Sequence, residues 1–159
     1  MKIEMLTDVL SREHEIARTH LATVADALGR GKTKGIPELL RFLDEDMPLH
    51  RRKEEEALFP ALARDPSVAG GPIRCMLADH EREKHLVESL RQAVESSDLK
   101  AVLDRGVALV ELLTAHIQKE ENVLFPYADQ ALKGLERAQV RSAFEAIGTF
   151  CPPTVEKAL

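Results

Sequence analysis

The chain contains one segment twice. It reads HRRKEEEALFP from His50 to Pro60 and HIQKEENVLFP from His116 to Pro126, identical at seven of eleven positions with an offset of 66 residues. The same offset carries Glu13-His14-Glu15 onto Asp79-His80-Glu81. Each half therefore holds one His early and a His/Glu pair four residues apart later. Two copies are too few for an open solenoid, so the repeat predicts a pseudo-two-fold arrangement of two similar halves.

Each half has the periodicity of a helical hairpin. Positions 6, 10, 14, 17, 21, 24 and 28 are apolar or His and fall three or four apart, the seam of a bundle helix running from about Glu4 to Gly29. A second helix is expected from Ile36 to about Arg64, kinked or loosened at Pro48. DPSVAGG (65–71) reads as a breaker, with Pro72 in the first turn of a third helix that reaches Glu95. Ser97 or Asp98 caps a fourth, which tolerates Gly106. Leu135 to Ile147 forms a shorter fifth helix lying across the others, and the tail TFCPPTVEKAL (149–159) reads as irregular. No alternation with a period of two occurs. The expected fold is all-α: an up-down-up-down four-helix bundle over residues 1–132, with a C-terminal helix and tail (133–159) packed on the same domain.

Composition narrows the class. At 159 residues, 44% hydrophobic and 31% charged, the chain has the make-up of one soluble globular domain without a membrane span. No secretory signal is visible at the N-terminus, so the expected location is cytoplasmic. A net charge of −5 argues against nucleic acid or an anionic membrane as partner. Cys75 and Cys151 lie far apart with no CxxC, which reads as two free thiols.

The candidate chemistry lies on the seams. His14 is 15 residues before Gly29 and His50 is 14 after Ile36, so both stand about 21–23 Å from the first loop. Similar counts place His80 and His116 within about one turn of that level. A His and a Glu at i and i+4 point two ligands at one inward site, as His50/Glu54 and His116/Glu120 do. Imidazole and carboxylate donors suit iron, manganese or zinc, and the lack of nearby thiolates argues against iron–sulfur clusters or Cu(I). Two carboxylates facing each other across a bundle can each bridge two metal ions. Without metal they are buried charges costing on the order of several kcal/mol each. His20 and His85 fall off the seam and read as surface or supporting residues.

At these residues the chain resembles the hemerythrin-like, or HHE cation-binding, family. The resemblance covers roughly residues 6 to 130 and rests on EH (13–14), HRRKEEEALFP (50–60), DH (79–80) and HIQKEENVLFP (116–126). It implies a non-haem di-iron centre with an oxo or hydroxo bridge that interacts with dioxygen, nitric oxide or peroxide. The implied ligands are His14, His50, Glu54, His80, His116 and Glu120, with Glu54 and Glu120 as bridges. Oxygen carriers of the family have a further His one turn after the third-helix His, where this chain has Lys84. The four-His, two-Glu pattern is closer to the di-iron domain of iron–sulfur cluster repair proteins. Their Cys-containing N-terminal region has no counterpart in the 13 residues before His14. The resemblance thus implies a protein that binds, senses or reduces a small oxidant, possible di-iron oxidoreductase activity included, with an unidentified reductant. The alternative it implies is an iron storage or donor module, including a part in iron–sulfur cluster repair. Lys84 and Tyr127 are candidate neighbours of the site, and Glu13, Asp79, Glu55 and Glu121 are candidate acceptors for the ligand imidazoles.

Overall fold

The computed structural model describes residues 4–150; Cys151 and the rest of the tail lie outside the described residues. Five helices are present and no strand occurs among the described residues. They are α1 (Asp8–Gly29), α2 (36–62), α3 (66–95), α4 (99–131) and α5 (Gly134–Ile147). The first four form the bundle, with α1 packed on α2 and α4, and α3 on α4. No helix among the described residues is long and apolar enough to cross a membrane.

The helix ends follow local chemistry, with one difference from expectation, and the expected loosening at Pro48 is present. The Asp98 side chain accepts from the Ala101 amide and caps α4. Residues 65–71 do not break the chain into a loop. The Asp65 side chain accepts from the Ser67 amide, α3 begins at Pro66, and Gly70-Gly71 sits inside a π turn, Ala69–Ile73, which leads straight into Arg74–Glu95. A wide turn accommodates Pro72, whose missing N–H and bulky ring a regular helix interior resists. In α2 the interruption falls at Asp46, just before Pro48, which occupies the first turn of Met47–Arg52.

Two more π turns, Lys53–Leu58 and Glu120–Leu124, lie at matching places in α2 and α4. Each precedes a proline of the repeated LFP, Pro60 or Pro126. In a regular α-helix the proline ring would crowd the carbonyl four residues earlier. In the wide turn the Phe59 amide donates to the Glu54 carbonyl and Phe125 to that of Glu120, five residues back. The repeated prolines thus widen the helix at the two seam glutamates, and π turns of this kind are frequent at functional sites.

The core is divided. One apolar cluster includes Leu21, Phe42, Leu90, Leu109 and Leu113; the other includes Leu10, Leu58, Met76, Leu124 and Phe125. Between them lies a polar layer at mid-bundle. The fifth helix packs against the π turn of α2, placing Val140 and Phe144 in the second cluster, while Phe150 reaches the first and meets the Phe42 ring edge-on. The chain after α5 therefore passes the level of the polar layer.

Candidate metal centre

The polar layer holds the six seam residues. His14, His50, Glu54 and Glu120 offer donor atoms within 4.8 Å of one another, and so do Glu54, His80, His116 and Glu120. All six are buried. The two sets share both glutamates. Glu54 Oε1 lies 2.8 Å from His50 Nε2 while its Oε2 lies 3.3 Å from His80 Nε2. Glu120 Oε2 lies 3.1 Å from His14 Nε2 and its Oε1 3.2 Å from His116 Nε2. Each carboxylate thus turns one oxygen toward each pair of histidines.

Proximity here is not hydrogen bonding. Both oxygens of Glu54, both of Glu120, and Nε2 of His14 and His50 are buried with no hydrogen-bond partner. A native core rarely leaves so many polar atoms unsatisfied at one place, since each costs about 1–3 kcal/mol. Six converging, orphaned N and O donors fit a pair of cations that prefer mixed imidazole and carboxylate ligation.

The outer nitrogens are all engaged. His14 Nδ1 lies 2.6 Å from Glu121 Oε1, His50 Nδ1 3.0 Å from Glu13 Oε1, His80 Nδ1 2.6 Å from Glu55 Oε1, and His116 Nδ1 3.2 Å from Asp79 Oδ2. A carboxylate on Nδ1 places the proton there and leaves Nε2 free as a ligand. The pattern obeys the repeat: α1 and α3 supply the acceptors Glu13 and Asp79 for the histidines of their own hairpins, while Glu55 and Glu121 reach across to the other hairpin.

Charge is strongly coupled in this layer. Burial opposes protonation of His50, yet Glu54, Glu13 and Glu120 outweigh it and push its pKa up to about 10. Burial likewise opposes charge on His116, and Glu120, Glu54 and Asp79 push it up to about 9. For Glu54, burial favours the neutral acid, but His50 and His80 hold it well below the usual carboxylate range.

The histidine side of the layer faces a small cavity of about 20 Å³, with room for one water-sized molecule. All four histidines line it, with Leu21, Phe42 and other apolar side chains across from them. Glu54 and Glu120 stand away from this cavity.

Two sequence candidates are not brought to the site. Lys84 is exposed and pairs with Glu81 at 2.7 Å, and Tyr127 donates to Asp65 Oδ2 at 3.1 Å near the bundle end. Neither lines the cavity. His20 stacks on Phe42 with ring centroids 4.4 Å apart, and His85 borders a surface groove between α3 and α4. A residue that the sequence reading passed over is Lys53. It is fully buried and donates to Glu13 Oε2 at 2.9 Å and to the Gly148 carbonyl. Its repeat counterpart Lys119 is partly exposed and donates to the buried Asp79. Retention of Lys in both copies of the motif was the available signal.

Residues 5–128 match the Hemerythrin HHE cation binding domain. The chain belongs to this family. Among curated proteins it is similar to the iron-sulfur cluster repair protein YtfE of Escherichia coli O1:K1 and of Escherichia fergusonii, in each case 29% identical over 143 residues, covering 79% of this chain and 65% of the relative. The chain thus spans just under two-thirds of the length of these relatives. No solved structure matches it. Membership in a cation-binding family and the His/Glu clusters agree on a metal-binding protein.

Proposed function

We propose that this is a non-haem di-iron protein that binds, senses or reduces a small oxidant, of the class of dioxygen, nitric oxide or peroxide. The observation that carries this reading is the pair of shared, orphaned carboxylates set between two histidine pairs, whose histidines in turn face a cavity with room for one water-sized molecule. His14 and His50 would hold one ion and His80 and His116 the other, with Glu54 and Glu120 bridging them. Iron bound there would supply redox-active, Lewis-acidic positions; manganese or zinc are the possible substitutes, and zinc would lack the redox chemistry.

The chain's own residues have separable tasks. Glu13, Glu55, Asp79 and Glu121 orient the imidazoles and hold protons at Nδ1. The apolar wall above the histidines excludes bulk water and restricts entry to small molecules. The electrons for any reduction would come from an external reductant, and a cytoplasmic location belongs to the same reading.

The test is the optical spectrum of freshly purified, iron-loaded protein. The reading expects di-ferric absorption bands that bleach with reductant and shift with azide. Two irons per chain with no response to either would overturn it. The similarity to iron-sulfur cluster repair proteins supports a second reading, an iron storage or donor module without turnover. Rapid iron transfer to an apo acceptor, in the absence of azide-sensitive bands, would favour that second reading.

A further inference from the structure

The wall of the cavity carries one permanent cation, Arg51, and the structure places it between the cavity and solvent. Leu43, Arg51 and Glu83 line the cavity above the histidines, and the same three residues line a groove of about 220 Å³ on the surface between α2 and α3. Arg51 Nη2 donates to Glu83 Oε1 at 3.1 Å across this boundary. The two side chains are largely withdrawn from water, 18% and 5% exposed. The ion pair is thus the partition between the inner cavity and the outer groove.

The guanidinium is only partly used. Its Nε is buried and has no hydrogen-bond partner. An arginine presents five N–H donors in a fixed plane, so one edge can hold Glu83 while Nε remains available. A buried, unpaired N–H on a cation that borders the cavity is costly unless something accepts from it. Besides Glu83, whose Oε1 holds Nη2, the cavity lining consists of apolar side chains and the histidines. A small ligand seated above the histidines would supply such an acceptor, and a monoanion would do so best, because a charge-assisted hydrogen bond is about twice as strong as a neutral one.

We propose that Arg51 selects the ligand of this site, favouring a small monoanion such as hydroperoxide or azide over a neutral diatomic, and that the Arg51–Glu83 pair is the entrance it passes. The inference rests on the di-iron reading above and narrows its ligand class. Arg51 touches the ligand and not the metal, so it acts on affinity and selectivity while leaving metal content unchanged.

The experiment compares azide and nitric oxide binding to iron-loaded wild type, Arg51→Met and Arg51→Lys by optical titration, with iron content measured alongside. In Arg51→Met the azide Kd should rise at least about tenfold, while that for nitric oxide changes less than about threefold. Arg51→Lys should recover part of the azide affinity. If Arg51→Met fails to fold or load iron, Glu83→Gln supplies the test: releasing the guanidinium from its carboxylate should tighten azide binding. Azide affinity in Arg51→Met equal to wild type, equal losses for both ligands, or an unaltered azide affinity in Glu83→Gln would overturn the proposal. A wild type with two irons and no azide response would sink the oxidant-binding reading on which the proposal rests, a result distinct from any of these.

Discussion

Lys53 Nζ donates to Glu13 Oε2 at 2.9 Å, and the other oxygen of that carboxylate accepts from His50 Nδ1 at 3.0 Å. The contact ties a fully buried ammonium to the metal layer through a single glutamate. The same glutamate also accepts from Thr149 Oγ1 at 2.6 Å, and Lys53 reaches the Gly148 carbonyl. The chain leaving α5 is therefore fastened to the support of His50. The other half of the pseudo-symmetric site lacks this cover: Lys119 is 41% exposed where Lys53 is fully buried, and it neighbours Cys75.

That asymmetry predicts unequal effects of equivalent substitutions. Lys53→Met removes the partner of a buried carboxylate and should cost about 3–5 kcal/mol. Lys119→Met removes a partly exposed ammonium from buried Asp79, which keeps its bond to His116, and should cost less, about 1–3 kcal/mol. Urea denaturation of the two variants measures the difference, and equal losses would refute the asymmetry.

Removal of an outer carboxylate acts on metal rather than on fold. Asp79→Asn weakens the hold on His116 Nδ1 without changing side-chain volume. Metal affinity should fall by about 10–100-fold, as is usual for such supporting partners. A competition titration with a chelator reads this directly, while the helical circular dichroism stays as in wild type.

Glu54 faces one histidine from each pair, so its loss damages both positions together. Glu54→Ala should lower metal content and thermal stability in parallel. Full metal content in this variant would show that Glu54 is not a bridge.

The pH dependence of the metal-free protein follows from His50 and His116. Their folded pKa values, about 10 and about 9, lie above the ordinary 6.5. A group raised on folding contributes stability that is complete below 6.5 and disappears as pH climbs through the folded value. Glu13 works in the other direction at the acid end. Burial there favours the neutral acid, but hydrogen bonds from His50, Thr149 and Lys53 keep its pKa below 4.5. Its contribution holds above 4.5 and is lost as pH falls below it. The metal-free protein should therefore lose stability between pH 6.5 and 10, and again below 4.5. Metal must displace the histidine protons, so its apparent affinity should rise over the same alkaline interval. Thermal melts and metal titrations across pH check the two opposite slopes.

The six donors were legible because spacing decides them. A repeat of 66 residues with His and Glu at i and i+4 leaves one inward face per helix, and the layer formed where helix lengths put it. Less visible were features that depend on the partner of each group. Gly70-Gly71 looks like a breaker in isolation, but a π turn next to Pro72 absorbs it. Lys53 drew no reading from sequence, since lysine is rarely buried without a partner; only the packed α1 and the segment after α5 supply Glu13 and Gly148. Lys84, placed by sequence where oxygen carriers keep a further histidine, turns outward to Glu81 at 2.7 Å. The Arg51–Glu83 pair joins residues 32 apart in the chain on neighbouring helices, a relation that no local motif announces.

Both carboxylates face both histidine pairs, so the two proposed metal positions should fill as one unit. Native mass spectrometry of protein purified from iron-rich culture reads this directly. Two populations are expected, metal-free and carrying two irons, with little of the singly loaded species. A dominant one-metal species, or zinc in place of iron, would contradict a shared di-iron centre.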